Sequence, residues 1–192
     1  YPTRTIKFVL PFPSGSGTDQ AARQAANDIT RRTGQPVIVE NKPGANGLIA
    51  AQQVARAAPD GYTVFITTMT TQSVNPFLYK KLPYDPVADF IPVAMISKTA
   101  MVLVVRNTED QPKSVAELTA RMQAAGSKLS FASGNTSSLV AGKTYSNAVS
   151  SPALHVPYKG NPQAVTDLMA GAVDFMFSDL TVANPLVQQG RL

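Results

Sequence analysis

Residues 6–32 constrain what this chain can fold into more than any other stretch. They read IKFVLPF, then PSGSG, then TDQAARQAANDITRR. The first segment is a short apolar run bounded by turn residues, which predicts a buried strand. In the turn, Gly15 and Gly17 are expected where backbone N–H groups converge, because glycine takes the required φ at little steric cost. The third segment sets Ala22, Ala25, Ala26 and Ile29 along one narrow helical face. Ser16 and Thr18 are candidate caps, and Asp19 follows Ser16 at capping-box spacing. Arg31 and Arg32 fall in the last turn, where the helix dipole favours cations, and Gly34 stops the helix. A helix N-terminus behind a glycine turn suits an anion. The expectation is that a small anion is held there.

The chain continues in the same idiom. Residues 36–40 (PVIVE) predict a second strand, 41–47 (NKPGANG) a loop and 48–58 a helix ended by Pro59-Asp60-Gly61. Residues 62–67 (YTVFIT) predict a third strand. Strands alternating with helices imply a parallel sheet with right-handed crossovers. Residues 68–73 (TMTTQS) are polar and follow that strand's carboxyl end, the edge where open α/β sheets bind ligands. Thr68 and Thr70 are therefore candidates. Pro76, Pro83 and Pro86 argue against long regular structure in 75–89. Residues 91–96 and 101–105 predict strands, with a crossover between domains nearby, so that lobe I covers 1–101 and lobe II covers 102–192. In the second half, helices are expected over 114–125, 139–149 and 162–170, with a last one beginning at 185–189. Strands are expected over 128–132, 154–157 and 173–177. FVLPFPSGSGTD and LSFASGNTSS thus each read as strand, small-residue turn, helix, an echo of architecture rather than a sequence repeat.

Composition removes several functions. The chain has 192 residues, 44% hydrophobic, enough for a real core. Its net charge is +5, but the basic residues are scattered, and no basic stripe with interleaved aromatics marks a nucleic-acid partner. The absence of cysteine excludes disulfides, zinc–thiolate sites and cysteine nucleophiles. No apolar run approaches the ~20 residues of a membrane span. Tyr1-Pro2 reads as a start just after a processing site. No HxxH or HExxH spacing supports a metal, and no cofactor is expected. His155, the only histidine, lacks local triad partners and is expected to bond to backbone. Gly142-Lys143-Thr144 lacks the earlier glycine of a phosphate loop and falls inside a helix. Gly15, Gly17 and Glu40 outline a dinucleotide fingerprint, but Gln20 stands where a third glycine would pack helix on strand. Asp179 follows a strand and either reaches a cleft or caps a helix. Tyr158-Lys159-Gly160 reads as a turn, with Tyr158 a candidate contact.

In order along the chain, YPTRTIKFVLPFPSGSGTD, VIVENKPGANG, AAPDGYTVFITT, NPFLYKKLPYDPVADFIPV, SGNTSS, HVPYKG and LMAGAVDFMFSDL resemble the Bug family. These are the substrate-binding proteins of tripartite tricarboxylate transporters. The resemblance implies an α/β, two-lobed, type II periplasmic-binding-protein-like fold, each lobe a mostly parallel sheet flanked by helices. It implies a periplasmic, monomeric, non-enzymatic receptor in mature form. Such a receptor closes on a small carboxylate or related anion and delivers it to the membrane subunits of the transporter. Carried across, the first binding loop is Phe12, Ser14, Gly15, Ser16, Gly17, Thr18 and Asp19. The second is Ser133, Gly134, Asn135, Thr136, Ser137 and Ser138. Ser16 stands where many members have glycine, and Leu139 and Val140 stand where a histidine often follows the serines. Family members continue beyond the position of Leu192, so the resemblance implies a chain lacking the C-terminal part and the return crossover to lobe I. The alternatives are an NAD(P)-dependent oxidoreductase with a degenerate turn and a sensor lobe of a signalling system.

Overall fold

The computed structural model describes residues 1–192, the side chain of Ser127 excepted. It divides into two units, 1–98 and 99–192. The division precedes the boundary expected at 101 and 102, because Leu180 N–H already donates to the Ala100 carbonyl within the second unit.

In the first unit, β1 (Ile6–Leu10), α1 (Gly17–Thr33), β2 (Val37–Asn41), α2 (Leu48–Ala55), β3 (Thr63–Phe65) and α3 (Asn75–Leu78) follow in order. The sheet is parallel with strand order β2-β1-β3. Central β1 buries apolar side chains on both faces, with only Lys7 exposed. Ile6, Phe8 and Leu10 pack with Ala22, Ala26 and Ile66, while Val9, on the opposite face by strand alternation, is fully buried, as are Ala50 and Ala51 of α2. Right-handed crossovers in the order 2-1-3 require α1 and α2 to lie on opposite faces of the sheet. The chain therefore changes direction at β1, and a crevice opens between the carboxyl ends of β1 and β3.

The second unit contains β4 (Met101–Val104), α4 (Val115–Ala125), β5 (Ser130–Ser133), α5 (Thr136–Ala148), β6 (Leu154–Pro157), α6 (Asn161–Ala170), β7 (Phe175–Asp179) and α7 (Leu180–Gln188). Its sheet order is β4-β7-β5-β6, parallel except for edge strand β4. The run β5-α5-β6-α6-β7 repeats the first unit, with order 6-5-7 matching 2-1-3. Phe131 and Phe175 pack with Leu118 and Met122 on one face, and Ala132 and Met176 with Ala164, Val165 and Leu168 on the other.

Three expectations are corrected. Residues 91–96 form no strand; Ile91 and Val93 are 88% and 85% exposed, with no neighbouring strand to receive their alternation. Helix α5 begins at Thr136 rather than 139, because Asn135 caps it. Helix α7 begins at Leu180 and carries Pro185 inside it, so the proline does not mark its start. Residues 70–74 form a π-helical turn leading into α3. Among the described residues, no helix is long and apolar enough to cross a membrane.

Candidate ligand-binding turns

The β1–α1 turn sits at the reversal point of the first sheet. Ser16 caps α1: its Oγ accepts the Asp19 N–H at 3.2 Å and its carbonyl accepts the Gln20 N–H at 3.0 Å. Gly15 adopts φ +81°, which explains the glycine there. Gly17 has no positive φ; it is the first residue of the helix, so the expectation that both glycines supply unusual backbone angles holds only for Gly15.

The Gly15 amide is not open. It donates to Asp19 Oδ2 at 2.9 Å, which Arg23 Nε also reaches at 3.0 Å and the Ser14 hydroxyl at 3.4 Å. Asn41 Nδ2 donates to Asp19 Oδ1 and to the Phe12 carbonyl, both at 2.9 Å. Burial of Asp19 pushes its carboxyl pKa up, but the bonds from Arg23, Gly15 and Asn41 outweigh this and hold it below 3.8. Asp19 is thus an ionised brace inside the turn. Phe12 is buried, leaving its carbonyl as the part engaged at the turn. The donors that remain are the N–H groups of Gly17 and Thr18 and the Thr18 hydroxyl, which have no partner among the described residues.

The β5–α5 turn has the same construction. Asn135 Oδ1 accepts the Ser138 N–H at 2.8 Å and its carbonyl accepts the Leu139 N–H at 3.1 Å. The Gly134 amide donates to Asn161 Oδ1 at 3.0 Å, and Asn161 Nδ2 donates to Asp179 Oδ2 at 2.9 Å. A side chain at Gly134 would stand 2.1 Å from the backbone of Gly160 and Asn161, so close backbone approach rather than φ requires this glycine. The Ser138 hydroxyl is taken by the Phe177 carbonyl, and Ser133 Oγ lies 2.7 Å from His155 Nε2. His155 therefore pairs with a serine hydroxyl rather than with backbone, and it stacks on Phe131. Burial, with Lys143 nearby, lowers its pKa from 6.5. The amides and hydroxyls of Thr136 and Ser137 have no partner among the described residues.

Each helix thus keeps two unpaired N–H groups in its first turn, two and three residues beyond Gly15 in α1 and beyond Gly134 in α5. Asn41 and Asn161, which fix the turns, escaped sequence reasoning. Asn41 ends β2 and Asn161 opens α6, and only tertiary structure brings each to its glycine turn. Tyr158 does not offer a free hydroxyl; it donates to Asp167 at 2.8 Å, and burial with that carboxylate pushes its pKa up to about 12. Near β3, Thr68 Oγ1 accepts the Thr70 N–H at 3.3 Å, and Thr70 is buried. Glu40 is held by Lys42 at 2.8 Å and Lys7 at 3.3 Å. A cavity of about 270 Å³ lined by Leu103, Arg106, Asn107, Lys113 and Val187 lies at the carboxyl end of β4. Because β4 is antiparallel to β7, that is the sheet edge opposite Asp179. No group of residues suited to a metal occurs among the described residues.

This architecture defines a class, the α/β periplasmic binding-protein fold. A periplasmic transporter of known structure superposes with a TM-score of 0.94 at 37% identity, over 99% of this chain and 64% of the other. An R. palustris protein solved with adipate gives 0.95 at 31%, over 99% and 64%. MatC from Rhodopseudomonas palustris, solved with bound malate, gives 0.88 at 31%, over 99% and 65%. A UPF0065 protein from the tcbD-tcbE intergenic region of Pseudomonas sp. is 36% identical over 94% of this chain and 54% of its own length. Residues 21–192 match the tripartite tricarboxylate transporter family receptor. The chain belongs to that family, a family of solute-binding receptors, which sets aside the dinucleotide-dependent enzyme. It spans a little over half to about two thirds of the length of these relatives.

Proposed function

We propose that this protein is a periplasmic receptor that captures a small dicarboxylate and passes it to the membrane subunits of a tripartite tricarboxylate transporter. The observation that carries this reading is the pair of capped helix N-termini, each with two unpaired amides and at least one free hydroxyl. A carboxylate accepting such donors gains about 1.5–3 kcal/mol per charge-assisted bond before the entropy of ordering is counted. Each donor set by itself suits a carboxylate group. The diacids adipate and malate in the related structures support that class.

Calorimetry and thermal unfolding with succinate, malate and adipate test the proposal on the intact protein. Saturable binding with a raised melting temperature is expected for at least one of them. Failure of all three to bind contradicts a diacid receptor.

A further inference from the structure

Asp179 ends β7 as a buried carboxylate beside the α5 turn. It is 9% exposed, and no cation lies within ion-pair distance of it among the described residues. Only neutral amides hold it, Asn161 directly and Asn135 close by. Charged and titratable side chains on the packed elements are engaged elsewhere. Lys143 of α5 lies over Phe131, Tyr145 pairs with Thr119, Asp167 of α6 pairs with Tyr158, and His155 of β6 with Ser133. Strand β4 and helix α7 carry no charge, and Lys159 is exposed.

A buried carboxylate in this position relies on nearby donors, including the open end of α5, for what solvation its charge retains. A ligand carboxylate bound at Thr136 and Ser137 would take those donors and add a second negative charge. Two carboxylates sharing a site disfavour each other's ionised form, which raises the pKa of one of them. Burial already pushes the Asp179 pKa above 3.8, against the opposing bonds from Asn161 and Asn135.

We propose that capture of a carboxylate at the α5 turn is coupled to uptake of one proton from solvent by Asp179. The proposal rests on the receptor reading above and adds a proton to its ligand stoichiometry. The proton converts the carboxylate to a carboxylic acid, so the site gains no net charge when a single carboxylate enters.

The test is calorimetry with succinate, malate and adipate in phosphate and in Tris, buffers of different ionisation enthalpy. The wild type is expected to show a buffer-dependent heat corresponding to uptake of up to one proton. Asp179→Asn should show none, while His155→Gln should retain it. A wild-type Kd that rises with pH, by up to tenfold per unit, above the range in which the acids themselves titrate, supports the proposal even where Asp179→Asn disturbs the Asn161 bond. Binding with buffer-independent heat and a flat Kd overturns the proposal and leaves the receptor reading intact. Uptake that persists in Asp179→Asn overturns the assignment to this residue. No binding by any of the three acids overturns the receptor reading instead.

Discussion

Gly134 and Asp19 show how single residues set these turns. At Gly134 a methyl group would meet the backbone of Gly160 and Asn161 at 2.1 Å, and backbone cannot swing aside as a flexible side chain can. Gly134→Ala should therefore destabilise the protein by about 1–3 kcal/mol or more, read as a lower urea midpoint. It should also weaken acid binding, because the α5 cap must shift. Asp19 makes a separate prediction through pH. Its folded pKa lies below 3.8, so its contribution to stability is fully present above that value and is lost as pH falls through the lower folded value. Asp19→Asn should cost about 1.5–3 kcal/mol at neutral pH, a difference that shrinks below pH 3.8. A urea-melt series across the acid range checks it; a constant difference would contradict the assigned ionisation. Asp179 has the opposite sign. With its folded pKa raised, the penalty for burying its charge is present above that pKa and is relieved as pH falls toward 3.8.

At the scale of elements, the open amides can be removed without removing the helices. Thr136 is the first residue of α5, and Asn135 before it is extended, with φ −157° and ψ 171°, a conformation that accepts a following proline. Helix α6 already carries Pro162 in its first turn. Thr136→Pro should leave thermal stability nearly unchanged yet weaken acid binding by about tenfold or more, because it removes both the amide and the hydroxyl donor of Thr136. Equal loss of stability and affinity would assign the effect to the fold instead. Much of this architecture was legible in the chain. The strand–turn–helix at residues 6–32 declares itself through apolar runs, Ser16 and Gly34, all of which act locally. Residues 91–96 have strand-like alternation but no strand beside them, and a sequence pattern reports a face, not a partner. The turns were found, with Gly17, Thr18, Thr136 and Ser137 among their residues, but not the fact that the amides of Gly15 and Gly134 already have partners. Those two are closed by Asp19 and Asn161, and the Gly134 pairing joins residues 27 apart.

At the scale of the molecule, two units each contain a β-α-β-α-β run whose strand order reverses at the strand feeding the capped glycine turn. The repeat explains why the two turns share a cap, a bonded glycine and two unpaired amides despite little shared sequence. Family membership and the related diacid complexes support a carboxylate receptor; the turns supply a physical reason for it. The most direct measurement is an amide NMR titration of the intact protein with the diacid that binds it most tightly. The amides of Gly17, Thr18, Thr136 and Ser137 should be among those that shift and saturate as the acid is added. Saturable shifts confined to other residues, with these four unmoved, would contradict the account.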